Sequence, residues 1–374
     1  MVRELVAIDM PAGEEFGVAL QKIWDSGDAA LPLDQRLPII ARKDLLTSFK
    51  ASRVVGRDGQ VSKLNDSQPV ETDDALVIAT SGSTGRPKGV VHTHKSIDSA
   101  IRSTGSRLDC TNSDHWLACI SLAHVGGLSV VLRALHFGSK LTIAQRADSA
   151  TINSALNDGA NLTSLVPTVL RSVDITRFKT VLVGGSQTFD KLPNNAIATY
   201  GLTETMGGVI YDGRPLVGVE MRLGAESEIE LRCDSLFRCY RDGFDPKSVD
   251  GWFMTGDLGE IYNGQLKILG RKDDLINTGG YKVWPNTVEK SIRQLDVIQD
   301  VVVAGTPDKK WGQAVTAWVV LRPDVKKFDL DILRAHVRDS QPDYCAPQKL
   351  FIVNQIPRSS LGKVLMSELL IHHD

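Results

Sequence analysis

The 374-residue sequence is poor in cysteine, in long apolar runs and in any excess of one charge, and each scarcity closes a route. Its five cysteines, Cys110, Cys119, Cys233, Cys239 and Cys345, are scattered and odd in number, with no CxxC pair or His-rich spacing. Neither a disulfide framework nor a zinc site is expected, and reduced thiols in the cytosol are the simplest account. Lys plus Arg number 43 against 45 Asp plus Glu, so no field attracts a polyanion and nucleic acid is not an expected partner. The N-terminus, M-V-R-E-L-V-A-I-D-M-P, puts acidic residues where a signal peptide needs an unbroken apolar core, which points to a cytoplasmic protein. One stretch, W116-L-A-C-I-S-L-A-H-V-G-G-L-S-V-V-L132, runs seventeen residues without a formal charge if His124 is neutral. It falls short of the roughly 20 residues a membrane span requires. Gly126-Gly127 divide it, and Arg133 and His136 close it, so a buried strand, a turn and a helix are expected.

What is present is the composition of an ordinary globular protein, 42% hydrophobic and 24% charged, long enough for two domains. Apolar runs of strand length recur at Leu76 to Ala79, Trp116 to Ile120, Leu141 to Ala144, Leu162 to Val166 and Val181 to Val183. Helix-like segments lie between them, at Ser96 to Ser103, Leu128 to Phe137 and Thr151 to Leu156, and this β-α-β-α order argues for an α/β domain. After about Gly218, M221-R-L, E228-I-E-L-R and Q265-L-K-I-L alternate as half-exposed antiparallel strands do. Beyond G270-R-K-D-D274 come helix candidates at Asn286 to Leu295 and Leu330 to Ser340. Strand candidates there are Val301 to Ala304, Ala314 to Leu321 and Lys349 to Val353, enough for a small α+β domain. The expected division is 1–272 and 273–374.

The run T80-S-G-S-T-G-R-P-K-G-V90 follows the apolar stretch Ala75 to Ala79 and precedes a polar segment with His92, His94 and Lys95. Small hydroxyl residues and glycines after a strand expose backbone N–H groups that suit phosphate oxyanions, and Lys88 can neutralise the outer phosphates. It is not a Walker A loop, because Pro87 precedes the lysine and Gly89 follows it. A flexible surface hairpin is the ordinary alternative. In Y200-G-L-T-E-T205, Tyr200 offers a flat face to a purine, Thr203 a hydroxyl to a phosphate, and Glu204 a hard oxygen to Mg²⁺. The alternative is a turn joining two strands. In G251-W-F-M-T-G-D-L258, the Asp257 carboxylate can accept both hydroxyls of a ribose. The stretch G270-R-K-D-D-L-I-N-T-G-G-Y-K282 reads as a solvated turn when taken alone. The lysine of I356-P-R-S-S-L-G-K-V364 reads as an exposed tail residue.

These five motifs, in this order, resemble those of the adenylate-forming superfamily of acyl-CoA synthetases, luciferases and nonribosomal adenylation domains. The resemblance implies a large N-terminal domain of layered sheets and helices that binds ATP and the acyl group. It also implies a small mobile C-terminal α+β lid. Thr80, Ser81, Gly82, Ser83, Thr84, Gly85 and Lys88 would hold the ATP phosphates, with Glu204 on Mg²⁺. Tyr200, Gly201 and Thr203 would meet the nucleotide, and Gly184, Gly185 and Ser186 would wall the adenine and acyl group. Asp257 and Arg271 would hold the ribose. Asp273 would be the pivot, with Gly279 and Gly280 brought forward for the coenzyme A step. Lys363 would enter for adenylation, making Lys88, Thr203 and Lys363 the catalytic groups. His124 sits where many members place a residue beside the acyl tunnel, although a satisfied core histidine is the bland reading. Asn277 departs from the pattern, since many members carry lysine there and some use it in the second step.

Only 79 residues precede Thr80. That compactness, with G207-G-V-I-Y-D-G-R-P-L-V-G-V-E220 and N277-T-G-G-Y-K-V-W-P-N-T-V-E289, resembles the o-succinylbenzoate–CoA ligases of menaquinone biosynthesis. ATP, coenzyme A and a carboxylic acid are then the substrates. A CoA ligase for another aryl or short acyl acid remains the alternative. A nonribosomal adenylation domain fits less well, because the chain ends at Asp374 with no carrier domain. A non-catalytic ATP-binding relative is disfavoured by the intact Lys88, Glu204, Asp257, Arg271 and Lys363. Homo-oligomerisation is left open.

Overall fold

The computed structural model describes residues 2–81, 87–170, 172–184, 192–323, 325, 328–358 and 364–371. The chain divides into two compact units, Met1–Met221 with Leu231–Phe253, and Arg222–Glu230 with Met254–Asp374.

The first unit is α/β, as the strand and helix spacing predicts. In one seven-stranded sheet, Leu5–Asp9 runs parallel to both Ala29–Pro32 and Arg53–Gly56, and Ala29–Pro32 runs parallel to Asp74–Ser81. Leu5, Val6, Ala7 and Ile8, like Ala29, Ala30 and Leu31, are shut away from solvent, as parallel strands covered on both faces are. Helix Glu14–Asp25 makes the first crossover and buries Phe16, Ala19, Leu20 and Ile23, a single stripe at helical spacing.

The second seven-stranded sheet sets Lys140–Ile143, His115–Ala118, Leu162–Leu165, Thr180–Gly184 and Ala196–Leu202 side by side in parallel. Gly207–Tyr211 and Arg214–Pro215 continue it antiparallel. Helix Val125–Phe137 crosses from His115–Ala118 to Lys140–Ile143 and is buried continuously from Gly127 to Ala134. The apolar stretch at 116–132 is therefore a strand, a turn and an interior helix. No helix among the described residues is long and apolar enough to cross a membrane.

Two features depart from the sequence reading. The first 65 residues carry four strands of the first sheet. Pro87–Thr93, expected to be partly a polar segment, is a strand paired antiparallel with Asp74–Ser81, and His92 within it is fully buried.

The second unit holds most of a four-stranded sheet in the order Glu220–Leu223, Glu228–Arg232, Phe253–Tyr262 and Gln265–Arg271. It also holds an α+β portion in which Gly312–Leu321 pairs with Ile298–Asp308, Ile276–Thr278 and Lys349–Ile352. Helices Pro285–Ile292 and Leu330–Ser340 supply Val288, Ile292, Leu333 and Val337 to a core with Val301, Val303, Val315 and Val319.

Candidate active site

The first unit positions the nucleotide candidates at or near the ends of interior strands of its two sheets. Thr80 lies opposite Lys88 and Ser81 opposite Pro87, so the strands on either side of residues 82–86 form one antiparallel pair. Gly82, Ser83, Thr84 and Gly85 lie outside the described residues, as do Gly185, Ser186 and Lys363. A side chain at Gly89 would put its Cβ 2.9 Å from the Arg241 Cβ and 3.0 Å from Val77. Glycine there lets the short strand Cys239–Tyr240 lie against Val90 and Val91. That strand delivers the Tyr240 ring to Lys88, whose Nζ stands 4.8 Å from the ring centroid.

Tyr200 ends the regular pairing of Ala196–Leu202 with Gly207–Tyr211, and the register shifts between Tyr200 and Gly201. A Cβ on Gly201 would stand 1.9 Å from the Gly207 carbonyl oxygen, so only glycine allows the two strands to close so tightly. Thr203–Thr205 is a 3₁₀ turn linking them. The Leu202 N–H donates to the Thr205 hydroxyl at 2.8 Å. Here the turn that sequence offered as the bland alternative is the element that presents Thr203 and Glu204.

Three contacts fix that turn. The Phe237 N–H donates to the Glu204 carbonyl at 2.8 Å, and the Tyr240 hydroxyl donates to Glu204 Oε1 at 2.9 Å. His92 Nε2 lies 2.7 Å from the Thr203 carbonyl oxygen, with Nδ1 3.1 Å from Ser96 Oγ. A carbonyl can only accept, so Nε2 carries the proton. Burial holds the His92 pKa down at about 4, and the ring is neutral at physiological pH.

His124 precedes helix Val125–Phe137, and its Nε2 lies 3.1 Å from Asp34 Oδ2. Asp34 also binds Arg36 Nε and Nη2 at 2.9 and 2.7 Å. Burial alone would raise the Asp34 pKa, but the hydrogen bonds from His124 and Arg36 prevail and hold it below the usual carboxylate range. His124 is thus a partnered histidine at a helix entrance. Gly184 ends strand Thr180–Gly184, where a Cβ would stand 3.1 Å from Thr199 Oγ1.

In the sequence alone Arg133 marks only the close of an apolar run. The side chain is 4% exposed. Its Nη2 donates to Ser129 Oγ at 2.9 Å, one helical turn earlier, and its guanidinium carbon stands 5.3 Å from the Trp116 ring. Nη1 has no hydrogen-bond partner among the described residues, and no carboxylate there pairs with the group. Burial lowers its pKa. A buried cation without a carboxylate partner costs several kcal/mol, and here only the Ser129 hydroxyl and the Trp116 ring offset that cost. Ser129 stands 3.9 Å from the Cβ position of Gly207, at the start of the strand following Glu204 and Thr205. The available signal was an arginine four residues after a serine on a helix that is otherwise apolar there.

In the second unit, Asp257 and Arg271 face each other across paired strands, with Asp257 Oδ1 3.4 Å from Arg271 Nε. Gly256 beside them has φ +74° and leaves 3.3 Å between its Cβ position and Arg271 Nη2. Asp273 lies in the 3₁₀ turn Lys272–Asp274. Gly279 and Gly280, at φ +56° and +84°, join strands Ile276–Thr278 and Tyr281–Val283, and the Gly279 N–H donates to the Trp311 carbonyl at 2.8 Å. Asn277 lies opposite Lys282 in that hairpin.

Comparison with known proteins accords with these pieces. The profile of AMP-binding enzymes matches residues 57–229, and that of the AMP-binding enzyme C-terminal domain matches 287–363. A probable 2-succinylbenzoate–CoA ligase of Mycobacterium tuberculosis is 34% identical, over 96% of this chain and 96% of that protein. The chain belongs to the AMP-binding enzyme family. Another relative in this family is the 2-succinylbenzoate–CoA ligase of Listeria monocytogenes, 28% identical over 80% of this chain and 70% of its own length. Among solved structures, o-succinylbenzoate CoA synthetase of Bacillus subtilis in complex with its acyl-adenylate intermediate aligns with a TM-score of 0.85 at 23% identity. That alignment covers 98% of this chain and 88% of the other. ATP-bound MatB of Rhodopseudomonas palustris gives 0.87 at 22%, covering 100% and 89%. Both share the fold of the AMP-binding enzymes, a large adenylate-forming N-terminal domain followed by a small C-terminal one.

Proposed function

We propose that this AMP-binding enzyme is an ATP-dependent acid–thiol ligase that forms o-succinylbenzoyl-CoA through an acyl-AMP intermediate, acting in the cytoplasm. The family and its acid–CoA ligase chemistry follow from the matches above, and the relatives named for 2-succinylbenzoate support the substrate. The observation that carries the substrate choice is Arg133. o-Succinylbenzoate has an aliphatic carboxylate that reacts and an aromatic one that stays charged, and a buried guanidinium with one nitrogen unpaired among the described residues suits the second. A site that leaves its own donor unpaired without that group discriminates far more strongly than one sensing a missing methylene.

The first step joins a carboxylate oxygen to the α-phosphorus of ATP and expels pyrophosphate. A carboxylate is already ionised at neutral pH, so no general base is required. Charge on the transition state is met by the Lys88 ammonium, the Thr203 hydroxyl and the Lys363 ammonium. The second step joins the coenzyme A sulfur to the acyl carbon and releases AMP. Asp257 and Arg271 are assigned the ribose hydroxyls, Tyr200 and Gly201 the base, Thr80 to Gly85 with Gly185 and Ser186 the phosphates and adenine wall, and Gly184 and His124 the acyl group. Asp273 is assigned the pivot, and Gly279 and Gly280 the face used in the thiol step.

Glu204 fits a hard divalent cation. Its carboxylate takes a hydrogen bond from neutral Tyr240 and has no ion pair with Lys or Arg among the described residues, so its charge is left for a metal. Glu204 would hold Mg²⁺ bound with ATP, and the ion would supply neutralisation of the phosphate charge.

The test is release of pyrophosphate from ATP across a panel of carboxylic acids, with and without coenzyme A. Acid-dependent release with o-succinylbenzoate, and its thioester when coenzyme A is present, is the expected result. Release without any acid, or none with any acid, would overturn the reading.

A further inference from the structure

Lys88 and Glu204 carry opposite charges and both contact Tyr240, yet no ion pair joins them among the described residues. Such a pair at contact would be self-neutralising. The ammonium would be less available to phosphate and the carboxylate less available to a cation. Tyr240 stands where it can prevent this, since its ring face takes the ammonium and its hydroxyl takes one carboxylate oxygen.

We propose that Tyr240 is a positioning residue that keeps Lys88 and Glu204 apart and aims each at its own part of the metal–nucleotide. This deepens the function proposed above and rests on its placing of Lys88 and Glu204 at Mg·ATP. The tyrosine is well fixed for the task. It is 7% exposed and belongs to a core cluster with Val90, Leu236, Phe237 and Phe253. Its ring lies 4.9 Å from that of Phe237, and its N–H donates to the Phe244 carbonyl at 2.9 Å. The segment that carries it also holds the Glu204 backbone, through the Phe237 N–H. A hydroxyl has one proton, so its bond to Oε1 engages a single carboxylate oxygen. Oε2 has no hydrogen-bond partner among the described residues and remains for a metal. A phenylalanine would keep the packing and the seat for Lys88 while losing the hold on Glu204. A leucine would lose both.

The experiment measures Mn²⁺ binding by electron paramagnetic resonance in the presence of a non-hydrolysable ATP analogue. It compares wild type, Tyr240→Phe, Tyr240→Leu, Glu204→Gln and the Tyr240→Phe/Glu204→Gln double variant, with thermal unfolding followed in parallel. Tyr240→Phe should raise the half-saturating Mn²⁺ concentration by about tenfold, the scale of one hydrogen bond to a charged group, at unchanged Tm and unchanged metal-free nucleotide affinity. In the Glu204→Gln background the same change should have no effect on Mn²⁺ binding, a non-additivity that a purely structural role would not produce. Tyr240→Leu should in addition weaken metal-free nucleotide binding by about threefold through the loss of the cation–π contact. Wild-type Mn²⁺ affinity in Tyr240→Phe, or an equal loss in both backgrounds, would overturn the proposal and leave the ligase reading standing. A wild-type protein that binds no metal–nucleotide would overturn both.

Discussion

His92 is neutral at pH 7 because burial makes protonation costly, and this gives the fold an acid-sensitive point beside Thr203. In the unfolded chain the imidazole titrates at its ordinary 6.5, whereas in the folded chain it takes up a proton only near pH 4. Between those values unfolding binds a proton, so stability falls as pH drops through this window, by about 1.4 kcal/mol per pH unit. Urea unfolding at pH 7 and pH 5 should therefore show an acid loss in wild type that is about 2 kcal/mol greater than in His92→Leu. Equal losses in the two proteins would show that His92 is not the group responsible. The sequence offered His92 only as one of two histidines after the glycine-rich motif. Its role depends on a carbonyl 111 residues away, a long-range contact that local pattern does not encode. Tyr240 was hidden for the same reason. It is ordinary in its own stretch and becomes informative only when the fold brings Lys88 and Glu204 to it.

At the level of elements, the sequence located most of the central pieces because their apolar periods match their burial. Strand Thr180–Gly184 and helices Val125–Phe137 and Leu330–Ser340 lie where periodicity places them. Pro87–Thr93 escaped because Lys88, His92 and Thr93 interrupt its apolar pattern, and His92 is satisfied by Ser96 four residues on and by the distant Thr203 carbonyl. The N-terminal strands escaped because short fully buried strands such as Ala29–Pro32 show no alternation. The helix that follows Pro87–Thr93 has a clear start. Thr93 Oγ1 accepts from the Ser96 N–H and Ser96 Oγ accepts from the Thr93 N–H, both at 3.1 Å, a reciprocal cap for helix His94–Leu108. Thr93→Ala should lower unfolding free energy by about 1 kcal/mol, read by chemical denaturation, while nucleotide affinity at saturating Mg²⁺ stays at the wild-type value. A large loss of affinity would mean that the cap also sets the neighbouring Lys88 and His92.

At the scale of the whole molecule, the chemistry has two steps and the chain two compact units. Asp257, Arg271, Asp273, Gly279 and Gly280 all lie in the second. A lysine that acts only on the transition state of the first step should be dispensable in the second. Lys363→Ala should therefore abolish adenylation yet largely spare thioester formation from supplied acyl-AMP, and a similar loss in both half-reactions would remove Lys363 from that role. The central claim, that this enzyme is built for a dicarboxylate, is tested most directly by one ratio. kcat/KM for thioester formation is measured with o-succinylbenzoate and with 4-oxo-4-phenylbutanoate, the same acid without its aromatic carboxylate. If the buried, unpaired Nη1 of Arg133 serves the aromatic carboxylate as proposed, the ratio should favour o-succinylbenzoate by at least about a hundredfold, the scale of a buried charged group left unpaired. Equal values for the two acids would contradict the account.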